Sequence, residues 1–217
     1  MKVLAFQHYP TEPMGYIEEV LKDLGVDYEY VKLYEGEFPE ELAEYTHLVF
    51  MGGPMGVYEE DKYPFLAREK EIIKNTNLPV IGFCLGAQLI ASAYGKEVYP
   101  FKKELGWMEV VKVEDDISTK GLPEKMTVFQ WHGDTFDLPD NSVLLYRGYE
   151  VENQAFRVGK ALGFQFHLEV TEDIVKKWIE DEEMSDDEKN KILDDTEKFV
   201  EKANELCEIL IKNFLKL

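Results

Sequence analysis

Only two cysteines, Cys84 and Cys207, occur in 217 residues, so no disulfide framework of the secreted kind is available. No apolar run approaches the roughly 20 residues that a membrane-spanning helix needs. The opening residues lack the positive, then apolar, then small-residue order of a leader, and a cytosolic protein is expected. The chain has no Cys-x-x-Cys and no His-x-x-x-His, so no metal and no other cofactor is expected. The turn Gly52-Gly53-Pro54-Met55-Gly56 lacks the Gly-Lys-Ser/Thr ending of a phosphate-binding loop. Basic residues are scarce, with 24 Lys and Arg against 44 Asp and Glu and a formal charge of −20. Such a surface repels phosphates, which argues against nucleic acid and anionic membranes as partners. There is no internal repeat and no low-complexity linker.

What remains is a chain of ordinary hydrophobic content, 45%, long enough to bury a sizeable core as one domain over residues 1–217. Strands and helices alternate through its first half. Lys2 to Phe6, Asp27 to Leu33, His47 to Met51 and Pro79 to Phe83 read as strands. Met14 to Leu24, with Ile17, Val20, Leu21 and Leu24 at helical spacing and Gly25 as a stop, reads as a helix. So do Pro64 to Lys74, Leu85 to Tyr94 and, as a short piece, Glu40 to Glu44. This alternation predicts parallel strands with right-handed crossovers and a site at their carboxyl ends. Short β-rich segments then follow at 108–113, 127–131, 142–148, 154–158 and 161–166, which extend the sheet and add an antiparallel piece. The tail, 171–217, is helical. Thr171 can cap one helix, Ser185 with Glu188 forms a capping box for another, and the long amphipathic stretch after it can cover a sheet edge or join two copies of the chain.

The junction of Phe83 and Leu85 carries the chemistry. Cys84 stands between a strand and a helix, with Gly82 two residues before it and Gly86 two after. This is a G-x-nucleophile-x-G elbow with cysteine in the nucleophile's place. A turn that tight strains the nucleophile's backbone and leaves no room for a Cβ at its neighbours. The helix N-terminus favours thiolate, the reactive form. A cysteine nucleophile needs a base, and the base an orienting acceptor. His167 and Glu169, at the end of a strand and two residues apart, supply both on one side of an extended backbone. His132 is a rival base, and His167 is preferred because it alone has a carboxylate at the right spacing. His8 either sits near the active edge or belongs to a plain loop.

Gly52-Gly53-Pro54, Gly82-Phe83-Cys84-Leu85-Gly86-Ala87-Gln88 and Gln165-Phe166-His167-Leu168-Glu169, in that order, resemble the class I glutamine amidotransferases, in particular stand-alone relatives of the amidotransferase domain of GMP synthetase. The resemblance implies a three-layer, flavodoxin-like α/β fold with a mostly parallel central sheet between helices. It implies an enzyme that hydrolyses the side-chain amide of L-glutamine through Cys84, His167 and Glu169, and hands ammonia to a separate synthetase. The backbone N–H groups of Gly53 and Leu85 would then form the oxyanion hole. Gln88, one helical turn past Cys84, would contact the bound glutamine, and Trp131, Gly133 and Asp134 would meet its amino-acid end. The same triad would equally serve a γ-glutamyl peptide hydrolase acting without a partner. A regulatory protein with a vestigial site is the third reading, disfavoured by the complete triad.

Overall fold

The computed structural model describes the backbone of residues 1–217 and every side chain except that of Asp181. One nine-stranded sheet runs through it: β1 (Lys2–Gln7), β2 (Asp27–Lys32), β3 (His47–Phe50), β4 (Val80–Phe83), β5 (Val98–Lys112), β6 (Lys125–Phe136), β7 (Val143–Arg147), β8 (Asn153–Val158) and β9 (Ala161–Phe164). Their order across the sheet is β2-β1-β3-β4-β9-β8-β7-β5-β6. The first five in that order are parallel neighbours, and from β9 onward each pairing is antiparallel.

Period-two alternation sends neighbouring strand residues to opposite faces. In β1, Val3 and Ala5 join the core under helices α1 (Tyr16–Asp23) and α5 (Asp186–Phe214). Leu4 and Phe6 join the core under α2 (Phe65–Asn75) and α3 (Leu85–Ala93). A third cluster gathers Phe129 of β6 with Ile174, Val175 and Trp178 of α4 (Glu172–Asp181). The tail therefore covers a face of the sheet rather than an edge: Ala203, Leu206, Cys207, Leu210, Ile211 and Phe214 of α5 are all buried. Thr171 caps α4 by accepting from the Ile174 amide at 3.4 Å, and Ser185 and Glu188 form the reciprocal capping box that starts α5. Among the described residues no helix is long and apolar enough to cross a membrane.

Two sequence expectations fail. Residues 40–44 form turns, not a helix. Five residues are too few to offset the cost of nucleation, and Glu40 and Glu44 would repel one turn apart. The segments 108–113 and 127–131 are fragments of much longer strands, β5 and β6, which pair as a hairpin across a register break between Pro100 and Glu104. Residues 130–134 therefore lie within β6 and not at a strand end, paired through Glu104 with His132 and Pro100 with Asp134. Cross-strand partners, which a local pattern does not contain, carry these polar stretches as strand.

Candidate active site

The turn between β4 and α3 holds Cys84 at φ 50° and ψ −105°, in the left-handed half of backbone space. Residues with a side chain rarely adopt it, so the surroundings must enforce it. A Cβ on Gly82 would lie 2.4 Å from the carbonyl of Gly86, and one on Gly86 would lie 2.1 Å from the Phe50 oxygen. Both are backbone atoms, so neither position tolerates a side chain. The Cys84 amide donates to the Phe164 oxygen at 2.8 Å, tying the elbow to β9.

Cys84 is 7% exposed and borders a cavity of about 420 Å3 at the carboxyl ends of the parallel strands. Its thiol donates toward the Trp131 oxygen at 3.7 Å and accepts from the Gln165 amide at 3.6 Å. His167 follows β9 on an irregular segment that a two-way backbone bridge to Phe129 of β6 fixes, at 2.8 and 3.2 Å. Its Nδ1 donates to Glu169 Oε1 at 2.6 Å, and its ring packs edge-on against Trp178 at 5.0 Å. His167 and Glu169 are 1% and 2% exposed. Burial alone would lower the His167 pKa. The Glu169 charge and hydrogen bonds to Cys84 and Glu169 outweigh it and hold the imidazole well above its ordinary value. Behind this segment, Asn204 of α5 donates to the Leu168 and Val170 oxygens at 3.0 and 2.9 Å, which links the tail to the site.

The remaining expected residues gather at the same cavity. Gly53, Gln88, Trp131, Gly133 and Asp134 line it. The Gly53 amide has no acceptor among the described residues, and Leu85, the first residue of α3, has no preceding turn to bond. A Cβ on Gly53 would lie 2.8 Å from Leu85 Cδ2, so the two residues are close neighbours. Gln88 donates to Gln165 Oε1 at 3.2 Å, and Asp134 accepts from Tyr58 at 3.0 Å.

His132 brings a correction. It does have a carboxylate: Nε2 meets Glu104 Oε2 at 3.1 Å, while Nδ1 donates to the Asp134 oxygen at 3.0 Å. Carboxylate ownership therefore does not separate the two histidines. The free ring nitrogen does, because both nitrogens of His132 are engaged and His167 keeps one for the thiol.

Three residues at the site escaped the sequence reading. Gln165 joins Gln88 to the thiol; its place two residues before His167 was the available signal. Tyr58 orients Asp134. Glu12 enters the cavity beside Gly52 and His167: a Cβ on Gly52 would lie 2.5 Å from Glu12 Oε2 and 3.5 Å from His167 Cε1. Burial and the nearby Glu169 charge push the Glu12 carboxyl up, His167 and His8 pull it back, and it settles at about 7. His8 follows β1 in a loop and is buried there.

Residues 15–184 match the family model described as Glutamine amidotransferase class-I. The chain is 34% identical over 155 residues to one subunit of the glutamine-hydrolyzing GMP synthase of Sulfolobus acidocaldarius, covering 69% of this chain and 80% of that one. It is 33% identical over 132 residues to the glutamine-hydrolyzing GMP synthase of Thermosipho melanesiensis, of whose length it spans 24%. A solved glutamine amidotransferase from Thermotoga maritima superposes with a TM-score of 0.92 at 36% identity, over 100% of this chain and 99% of that one. With a family match that spans most of its length and relatives alike in sequence and fold, the chain belongs to the class I glutamine amidotransferases.

Proposed function

We propose that the protein hydrolyses the side-chain amide of L-glutamine through Cys84, His167 and Glu169. The observation that carries the reading is a cysteine held in a strained elbow, with a buried imidazole whose pKa it helps to raise and a carboxylate 2.6 Å from that imidazole. His167 holds the proton that Cys84 gives up, in a thiolate–imidazolium pair, and the thiolate adds to the amide carbon. The amide oxygen takes up the electron pair and faces the N–H groups of Gly53 and Leu85. As the oxygen's electrons return, the C–N bond breaks, and His167 gives its proton to the departing nitrogen as ammonia leaves. Water then adds to the thioester, His167 takes its proton and returns it to sulfur, and glutamate is released. Glu169 keeps the imidazole oriented and offsets its positive charge throughout. Gln88, Trp131, Gly133 and Asp134 hold the amino-acid end.

The Sulfolobus relative, named as one subunit of a GMP synthase, supports a further step, in which ammonia passes to a synthetase on another chain. We infer no cofactor for the hydrolysis, since cysteine, histidine and an oxyanion hole supply all its groups.

The test is glutamate release by the purified chain from L-glutamine and from a panel of γ-glutamyl peptides, beside Cys84→Ala. Release from glutamine that disappears in Cys84→Ala is the expected result. A strong preference for the peptides replaces the amidotransferase reading with a partner-free hydrolase. Silence together with a Cys84 that a glutamine-like electrophile fails to alkylate overturns both.

A further inference from the structure

His8 and Glu69 are 1% and 0% exposed and line no part of the catalytic cavity. His8 follows β1 and Glu69 sits on α2, yet Nε2 of one lies 2.9 Å from Oε1 of the other. The second ring nitrogen, Nδ1, lies 3.2 Å from the Gly52 oxygen. A carbonyl oxygen only accepts, so Nδ1 carries a proton. The contact with Glu69 needs another. The pair is therefore an imidazolium with a carboxylate or an imidazole with a carboxylic acid, neutral overall in both forms, which suits its burial. Burial lifts the Glu69 carboxyl, and the charge and hydrogen bond of His8 offset part of that rise.

The target of the histidine is what gives the pair a consequence. Gly52 and Gly53 share a trans peptide, in which the carbonyl and the N–H point in opposite directions. Holding the Gly52 oxygen therefore sets the direction of the Gly53 N–H. Two successive glycines leave that peptide free to turn unless something outside them fixes it. Among the described residues the Gly53 N–H has no acceptor of its own to do so. The His8 side chain also packs against Gly53, with its Cβ 3.0 Å from where a Gly53 Cβ would stand.

We propose that the buried His8–Glu69 pair clamps the Gly52–Gly53 peptide and thereby aims the Gly53 N–H at the tetrahedral oxygen. His8 and Glu69 are positioning residues: they act through a backbone amide and touch no substrate. The inference rests on the oxyanion role given to Gly53 above.

A misaimed donor weakens the transition state and leaves the bound amide nearly untouched. His8→Phe keeps the ring's bulk and removes the bond to Gly52. It should lower kcat for glutamine by about 10–100-fold with KM little changed, since loss of a whole oxyanion donor costs about 10²–10³-fold. Glu69→Leu should lower kcat less. Glu69→Gln, whose amide can donate to a neutral imidazole, should stay within about threefold of wild type. Alkylation of Cys84 by iodoacetamide forms no oxyanion, so its rate should hold in all three variants. If His8→Phe does not fold, Glu69→Leu set against Glu69→Gln carries the same contrast. An active wild type with an unaffected kcat in His8→Phe and Glu69→Leu overturns the clamp alone. So does a parallel loss of kcat and alkylation, which marks a collapsed site. So does Glu69→Gln as impaired as Glu69→Leu. A wild type silent on every γ-glutamyl substrate, with a Cys84 that a glutamine-like electrophile fails to alkylate, overturns the reading beneath the clamp, and the clamp with it.

Discussion

Two buried histidine–glutamate pairs belong to the site of Cys84, and they are wired differently. At the end of β9, His167 gives one nitrogen to Glu169 and leaves the other toward the thiol. On the β5–β6 hairpin, His132 commits both, one to Glu104 and one to the Asp134 carbonyl. Glu104 in turn accepts from Gln154 at 2.7 Å, and Gln154 accepts from Gln130 at 2.8 Å. The second pair is thus a knot in a buried polar network that fixes the hairpin over the cavity. The difference lies in the ring nitrogens: an imidazole becomes a base when one nitrogen is oriented and the other is free.

The sharpest way to break this comparison is to remove each histidine in turn. His167→Asn should lower kcat for glutamine by about 10³–10⁴-fold, since base, acid and charge partner for the thiolate go together. His132→Asn should cost far less, about 10-fold or under, and show as a rise in KM and a lower melting temperature. Equal losses in kcat from the two substitutions would make the assignment of His167 as base untenable.

The carboxylates come next. The stabilised His167 imidazolium exists because Glu169 outweighs the cost of burial. Its folded pKa lies above the unfolded one. Its contribution to stability is therefore complete below the usual histidine value of about 6.5 and fades as pH climbs through the raised folded value. Activity that needs the imidazolium should follow the same limb. Glu169→Gln should lower kcat by about 10²-fold and draw the alkaline limb of the kcat profile to lower pH. Glu104→Gln should leave the limb where it is. A profile unmoved in Glu169→Gln would show that Glu169 does not set the charge of His167.

These pairs also mark where the sequence was legible. The elbow could be read because its pattern lies within five residues, Gly82 to Gly86, and the clash that excludes a Cβ at Gly82 lies there too; the clash that excludes one at Gly86, with Phe50 of β3, does not. Glu169 could be read because it follows His167 by two. The parallel strands could be read because buried strands are short apolar runs bounded by turn residues. The partners that complete the site could not. Glu104 is 28 residues from His132, Glu69 is 61 from His8, and Gln165 is 77 from Gln88. Those contacts exist only after the sheet has formed. The polar arms of β5 and β6 were missed for the same reason, since each is held as strand by the other.

The smallest effect sharpens the comparison from a third side. Glu12 faces the His167 pair and not the His132 pair: the charges that act on it are those of His167, Glu169 and His8. Its carboxyl stands at about 7 in the fold, against an ordinary value of 4.5. A raised folded pKa contributes stability below about 4.5, and that contribution is lost as pH rises through about 7. At pH 8 the fold holds an ionised, half-buried carboxylate that the unfolded chain would solvate better. Glu12→Gln keeps the shape and removes the charge, so it should raise stability at pH 8 by about 1–2 kcal/mol, at about 2–4 °C of melting temperature per kcal/mol. Near pH 5 the gain should nearly vanish, because Glu12 is then neutral in the fold. The imidazolium of His167 is the main charge that favours ionised Glu12, so placing Glu12→Gln on a His167→Asn background should widen the gain at pH 8. On a His132→Asn background it should stay the same. A gain independent of pH, or one that His132 controls, would place the Glu12 charge outside the field of the His167 pair.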